Sequence, residues 1–363
     1  MSKAVVGLGF GDEGKGLTIN YLTQEYQYYP ALIVRYSGGQ QAGHTVVKDS
    51  VRHVFSNFGS GTLNGNPTYW SKYCTVDPLG IVNELESLNI KMSNIPILYI
   101  DGKCPITTPL EKGFTNSDGT CGVGVGQTYQ REENHDSLLF EDLFYPSILE
   151  MKLEILKKKY YFLSYTQRDF DIFNHCVNLI TSNLGIRICY GIPHVSGNII
   201  FESSQGLLLD QNYGFFPHVT RSNVGSTNIL SYGDMPEMFL VTRAYQTRHG
   251  NGPMTNENIS HLIKPNPLET NVLNKFQGKF RISLLDIDLL QYAITKDTYI
   301  SKHRNNLVIS CMDHLEDVPR YTIKGKIHEC KNQEEFATDV AGLLKVSHLF
   351  ISESDDSKLK QIY

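Results

Sequence analysis

A chain of 363 residues, 40% hydrophobic and 20% charged, can build one large domain or two ordinary ones, and its apolar content excludes global disorder. A net charge of −5 argues against a general nucleic-acid binder, while a local basic pocket for a nucleotide stays compatible with it. The seven cysteines (Cys74, Cys104, Cys121, Cys176, Cys189, Cys311, Cys330) are odd in number and scattered without Cys-x2-Cys spacing, so neither a zinc site nor a disulfide framework is expected.

That cysteine usage favours a reducing cytoplasm. No segment approaches the length of a membrane span, and the N-terminus runs straight into a strand with no signal peptide, so a cytoplasmic protein without membrane contact is expected. Ala4-Val5-Val6-Gly7-Leu8 reads as a buried strand and Leu17 to Leu22 as a helix. Between them lies Gly9-Phe10-Gly11-Asp12-Glu13-Gly14-Lys15-Gly16. Glycines in this position let the backbone wrap an anion, and the helix N-terminus turns its free N–H groups toward it. Lys15 adds a point charge. The spacing matches the start of a P-loop, Gly-x4-Gly-Lys, but Gly16 stands where Ser or Thr would hold Mg²⁺. Asp12 is then the candidate metal ligand, because a carboxylate in a phosphate loop needs a cation or a proton-transfer role to justify it. The alternative is a Gly-rich turn with a solvated Asp-Glu pair.

Ala31 to Tyr36 is a second buried-type strand, ending at Ser37-Gly38-Gly39-Gln40-Gln41-Ala42-Gly43-His44-Thr45. A polar, Gly-rich turn after a strand is where α/β folds place ligands, so His44 is expected to face the same ligand as the first loop. Residues 51–62 read as strand and turn, 82–88 as helix and 95–100 as strand. A third Gly-rich loop spans 119–126 and suits close backbone approach to a ligand better than a flexible spacer. Residues 137–185 carry helical spacing and no clear chemistry. A strand at 198–202 runs into Ser203-Ser204-Gln205-Gly206, and another at 237–244 leads to Thr247-Arg248-His249-Gly250-Asn251-Gly252-Pro253. Gln277-Gly278-Lys279-Phe280-Arg281 reads as a basic loop before a helix at 285–294, with a solvated turn as the alternative. A strand at 307–310 ends at Cys311-Met312-Asp313, followed by a helix at 333–345 and a strand at 348–351. No repeat or linker divides the chain. The expectation is one unit over 1–363, an α/β fold with a mostly parallel central sheet flanked by helices and a helical subregion at 137–185.

Taken together, these loops resemble the adenylosuccinate synthetase family, whose members join aspartate to C6 of a 6-oxopurine nucleotide. Gly11-Asp12-Glu13-Gly14-Lys15-Gly16 and Ala42-Gly43-His44-Thr45 match its motifs in order. Gly119-Thr120-Cys121-Gly122 is similar to its Gly-Thr-Thr-Gly, and Glu202-Ser203-Ser204-Gln205-Gly206 to its Glu-Gly-Ala-Gln-Gly. Pro217-His218-Val219-Thr220 is similar to its Pro-Tyr-Val-Thr, and Thr247 to Pro253 to its Thr-Arg-Val-Gly-Ala-Gly-Pro. Cys311-Met312-Asp313 stands where it has Lys-Leu-Asp. The resemblance implies that Asp12 takes the proton from purine N1 and binds Mg²⁺ with the backbone of Gly43. It implies that His44 stabilises the transferring phosphoryl group and that Gln205 hydrogen-bonds near purine O6. Gly11 to Gly16, Gly43, His44, Thr45 and Asp313 would bind the phosphate donor. Asp12, Gln41, Ala42, Gly43, Thr120, Cys121, Gln205 and Thr220 would hold the purine nucleotide, and Gly278, Lys279 and Arg281 the aspartate. Asp313 favours GTP as donor, with ATP or dATP open. A homodimer is implied, with Arg131 a candidate for the arginine that reaches the partner's nucleotide. His135 and His218 read as ordinary polar residues.

The departures are specific. Gln41 replaces the family's Asn, Cys311 its Lys, and the chain is closer in length to the compact archaeal type. Aligned on Gly278, Lys279 and Phe280 stand where the family has arginines, one of which approaches the ribose 2′-hydroxyl. Losing that planar guanidinium costs a ribonucleotide a partner and a deoxyribonucleotide nothing. The loop is similar to the phage branch of the family, which aminates dGMP toward diaminopurine DNA. Asp12, where many phage members carry Ser, points the other way, to IMP. A non-catalytic nucleotide-binding regulator is the alternative from another class, and the retained Asp12 and His44 count against it.

Overall fold

Alternate residues of the first strand are buried on opposite faces, and this explains the architecture. The computed structural model describes residues 2–26, 29–113, 122–163, 165–195, 197–264, 269, 279–356 and 358–363. In chain order the strands are β1 (Lys3–Gly7), β2 (Leu32–Arg35), β3 (His44–Lys48), β4 (Val51–Phe55), β5 (Thr68–Trp70), β6 (Leu98–Asp101), β7 (Ile186–Cys189) and β8 (Ile199–Gly206). They continue as β9 (Glu237–Arg243), β10 (Tyr245–His249), β11 (Phe280–Asp286), β12 (Asn305–Ser310), β13 (Arg320–Ile323), β14 (Lys326–Glu329), β15 (His348–Ile351) and β16 (Lys360–Gln361). Ala4 and Val6 pack with Leu32, Val34, Phe201 and Leu240 on one side, while Val5 packs with Ile19, Ile33, Ile200 and Val241 on the other. A strand buried on both faces belongs in the middle of a parallel sheet covered by helices.

The described residues form that sheet in the order β16-β15-β12-β9-β1-β8-β2-β5-β6-β7. Every pairing in it is parallel except β15 with β16. The chain builds outward from β1 through β2, β5, β6 and β7, then returns to β8 beside β1 and builds the other way through β9, β12 and β15. The strand order therefore reverses around β1, β8 and β9. A crevice beyond the carboxyl ends of the strands is the expected ligand site at such a point. Two smaller sheets, β10-β11-β13-β14 and β3-β4, lie outside it.

The helical subregion contains helices Pro146–Lys159 and Gln167–Ser182. Leu149, Leu153 and Leu156 on the first, and Phe170, Phe173, Val177 and Ile180 on the second, make apolar stripes at helical spacing that bury into one cluster. Thr166 and Asp169 close the start of the second helix with a capping box. No described helix is long and apolar enough to cross a membrane. The described cysteines are free thiols; Cys121 lies outside the described residues.

The main sheet follows the expectation, and the differences lie at its margins. The helix expected at 82–88 spans Pro78–Lys91, because Asp77 caps it and Pro78 occupies its first turn. The basic loop expected at 277–281 is not a loop at its end: Phe280 and Arg281 open β11, paired to β10. The Gly-rich loop expected at 119–126 ends at Gly124, which caps helix Val125–Glu133.

Candidate active site

The loop after β1 turns into helix α1 (Lys15–Thr23) through left-handed backbone at Gly11, Asp12 and Gly14. Glu13 folds beneath the loop. Its carboxylate accepts the Gly9 N–H, and its other oxygen is buried without a partner among the described residues. Burial lifts this carboxyl to about 7, against the pull of Lys15 and the Gly9 hydrogen bond. Glu13 thus offers phosphate its backbone and not its side chain. The loop also needs glycine at its neighbour: a Cβ on Gly206 would lie 2.2 Å from Gly9 O and 2.8 Å from Glu13 Oε2. The G206A variant is expected to lose about 1–3 kcal/mol of stability, read as a lower urea midpoint at unchanged slope, because backbone has to move to admit the methyl.

Asp12 sits at the loop's tip with its side chain 34% exposed. Its backbone is held from β9 and β10: Arg243 Nε donates to Asp12 O, and Thr247 Oγ1 donates to Gly11 O at 3.1 Å. The side chain of Gln205, at the end of β8, lies against the same loop, so that a Cβ on Gly11 would come within 2.9 Å of its Oε1. His249 Nε2 lies 3.7 Å from Asp12 Oδ2.

His44 opens β3, which lies against the first turn of α1: a Cβ on Gly16 would sit 2.9 Å from Thr45 O and 3.0 Å from His44 Cβ. His44 is buried, with Nδ1 2.5 Å from Glu202 Oε1. Glu202 also accepts the Ser60 N–H at 3.0 Å and the Ser60 hydroxyl, and lies 3.9 Å from Arg35 Nη1. Burial alone would raise the Glu202 carboxyl, but Arg35, His44 and Ser60 reverse this and bring it down to about 2. Burial pushes the His44 imidazole down, partly offset by Glu202. The pair therefore reads as an ionised Glu202 that fixes His44 by accepting from Nδ1. Lys15 is buried as well. Burial lowers its ammonium, opposed by Glu13, Asp12 and Glu202, which places its charge among these three carboxylates.

The structure brings Asp12, Lys15, His44, Thr45 and Gln205 together around the loop after β1 and the first turn of α1. Ala42 O accepts from Arg35 Nη2 at 3.1 Å, and Gly43 beside it is exposed. Among the described residues, four buried side-chain atoms left without a partner, Glu13 Oε2, Gln40 Oε1, Gln41 Oε1 and His249 Nδ1, belong to these loops or to the end of β10 beside Asp12, as expected of a site that takes a polar ligand. The turn bearing Asp313 joins from β12: Ser310 Oγ donates to Glu13 O at 2.9 Å, and Asp313 itself is exposed, 3.4 Å from His314. Thr220 is half-buried, its N–H donating to Leu209 O at 2.8 Å. Lys279 is exposed, whereas the Arg281 guanidinium is tied to Glu257 and to the carbonyls of Gly250 and Gly252. Thr120, Cys121 and Gly278 lie outside the described residues.

One expectation is corrected. Arg131 is buried and engaged with Glu111, Glu132 and the carbonyls of Ile106 and Asp136, so it does not reach toward a partner subunit. His135 and His218 are exposed. Sequence alone assigns no role to Arg35, Arg243 or His249. A charged residue inside the apolar run 31–36 was the available signal for Arg35.

Among the described residues no group of three or more His, Cys, Asp or Glu side chains forms a metal cage. Mg²⁺ in nucleotide sites needs only one or two carboxylates, the rest of its shell being water and substrate phosphate. The partly exposed Asp12 carboxylate at the mouth of the loop, with the exposed Gly43 backbone, fits that demand.

Comparison with known proteins agrees with this geometry. The family model described as adenylosuccinate synthetase matches residues 4–349. An adenylosuccinate synthetase of Methylibium petroleiphilum is 30% identical over 284 residues, covering 70% of this chain and 63% of that protein. Among solved structures, fully ligated adenylosuccinate synthetase from Plasmodium falciparum superposes with a TM-score of 0.77 at 17% identity, covering 98% of each chain. The cyanophage S-2L succinoaminodeoxyadenylate synthetase, bound to dGMP and to dATP as an energy donor, gives 0.67 at 13% identity, covering 99% of this chain and 95% of that one.

Proposed function

The chain belongs to the adenylosuccinate synthetase family, and on that premise we propose that it joins L-aspartate to C6 of a 6-oxopurine nucleotide, with dGMP as the nucleotide and an NTP as phosphate donor. The observation that carries the ligase reading is Lys15, whose buried ammonium interacts both with Asp12 and with Glu202, the carboxylate that holds His44. A 6-oxo group leaves poorly. Asp12 removes the N1 proton, which makes O6 nucleophilic, and O6 attacks the γ-phosphate in line, breaking its bond to the bridging oxygen and releasing the nucleoside diphosphate. The amine of aspartate then displaces the phosphorylated oxygen, releasing phosphate and giving the N6-succino nucleotide. Positioning and positive charge do most of this work: Lys15 brings the charge, and His44 and the loop N–H groups position the phosphoryl group. Gln205 orients O6. Asp12 and Gly43 would hold Mg²⁺, which neutralises phosphate charge when bound.

For dGMP the support is Phe280. It stands at the register of an arginine in the family and offers a ribose 2′-hydroxyl no hydrogen bond, while deoxyribose requires none. The fold likeness to the cyanophage enzyme is consistent with this reading. The retained Asp12 and the likeness to the Methylibium enzyme favour a second reading, IMP as substrate. Asp313 favours GTP as donor, since a carboxylate accepts both N1–H and N2–H2 of guanine; dATP and ATP are the other candidates. We place the enzyme in the cytoplasm as a homodimer, on the family resemblance.

The test crosses IMP, dIMP, GMP and dGMP with GTP, ATP and dATP in the presence of aspartate, following the succino product. The expected result is turnover of dGMP well above IMP. IMP turned over well with dGMP idle removes the dGMP reading and leaves the ligase. No turnover with any pair removes the ligase and returns the chain to a binding role.

A further inference from the structure

His249 ends β10 and faces Phe280 directly across the antiparallel ladder to β11, with ring centroids 4.9 Å apart. Its Nε2 points toward Asp12, 3.7 Å from Oδ2. Its Nδ1 is buried and has no hydrogen-bond partner among the described residues. A proton on Nδ1 would bury a donor without an acceptor, which native structures avoid more strictly than an unpaired acceptor. The favoured tautomer thus carries its proton on Nε2, aimed at the carboxylate. Asp12 needs such a neighbour. Its backbone is fixed by Arg243 and by the Thr247 bond to Gly11, but its side chain stands a third exposed at the tip of a turn.

We propose that His249 is a positioning residue for Asp12. Its Nε2–H engages one carboxylate oxygen and turns the other toward the purine N1 proton, while Phe280 buttresses the imidazole from the neighbouring strand. The contact is long without substrate and closes in the complex, as hydrogen bonds in ligand-free active sites commonly do. The proposal rests on the reading of Asp12 as the base.

Two measurements test it. In the first, H249F, H249Q and D12N are compared with the parent enzyme on whichever purine nucleotide the parent turns over fastest. H249F keeps a ring against Phe280 and removes the N–H, and is expected to lower kcat about 10- to 100-fold with the nucleotide KM within about threefold, the usual cost of a misdirected reacting group. H249Q, which returns an N–H donor near the same point, is expected to recover most of that loss. An unchanged kcat in H249F beside an inactive D12N overturns the proposal and spares the Asp12 reading. A D12N enzyme as active as the parent overturns both. The second measurement is independent of turnover: ¹⁵N-imidazole spectra of the folded protein, assigned with H249Q, are expected to show the His249 proton on Nε2. A proton on Nδ1 overturns the proposal.

Discussion

The D12N variant is expected to lose about 10³-fold in kcat, within the range that a positioned general base contributes, with the nucleotide KM little changed. Asparagine keeps the size and planarity of the side chain and removes its capacity to take a proton. The backbone at Asp12 is left-handed, φ 58°, a conformation that asparagine adopts as readily as aspartate. The bonds that hold the turn, Arg243 to Asp12 O and Thr247 to Gly11 O, involve backbone acceptors and survive the substitution. The fold is therefore expected to keep its melting temperature within about 1 °C, a shift of less than about 1 kcal/mol in a chain of this size. Steady-state formation of the succino product, with a melting curve on the same sample, checks both halves. A kcat within tenfold of the parent would remove Asp12 as the base.

Those loops are legible in sequence because their chemistry is local. Gly11-Asp12-Glu13-Gly14-Lys15 holds the tight turn, the carboxylate and the cation within one stretch, and His44 closes a second stretch of the same kind. The inner strands are legible too, since burial on both faces makes Ala4-Val5-Val6 and Leu32-Ile33-Val34 continuous apolar runs. What escapes is non-local or polar. Arg35, His44 and Ser60 converge on Glu202, which lies 142 residues or more further along the chain, and the adjacency of β2 and β8 brings them together. β10 escapes because its buried positions are polar: Gln246 and Arg248 are satisfied by hydrogen bonds to Leu284 O, Pro253 O and Asn251 O, so no apolar alternation marks the strand. β5 escapes because three residues are too few to show a period. Arg131 misleads because the resemblance asks for an arginine that reaches a partner, yet the carboxylate of Glu111 and two carbonyls draw this one inside.

The E202A variant is expected to lose about 3–5 kcal/mol of stability, the usual cost of stranding one charge of a buried pair. Arg35 is fully buried; its guanidinium donates to Phe58 O at 3.3 Å and Ala42 O at 3.1 Å and lies over the Trp70 ring, but Glu202 is the negative charge beside it. Removing Glu202 also leaves the Ser60 N–H and His44 Nδ1 without their acceptor. A urea titration reads the loss as a lower midpoint, and turnover is expected to fall at least about 10²-fold because His44 loses the contact that orients it. Stability and orientation separate in the double variant R35M/E202L. Replacing a buried ion pair by apolar side chains of similar volume is commonly neutral or stabilising, so the double variant is expected to regain most of the lost stability. His44 still lacks its carboxylate there, and turnover is expected to stay low. If turnover returned along with stability, Glu202 would serve the fold alone and His44 would need no partner to act on the phosphoryl group.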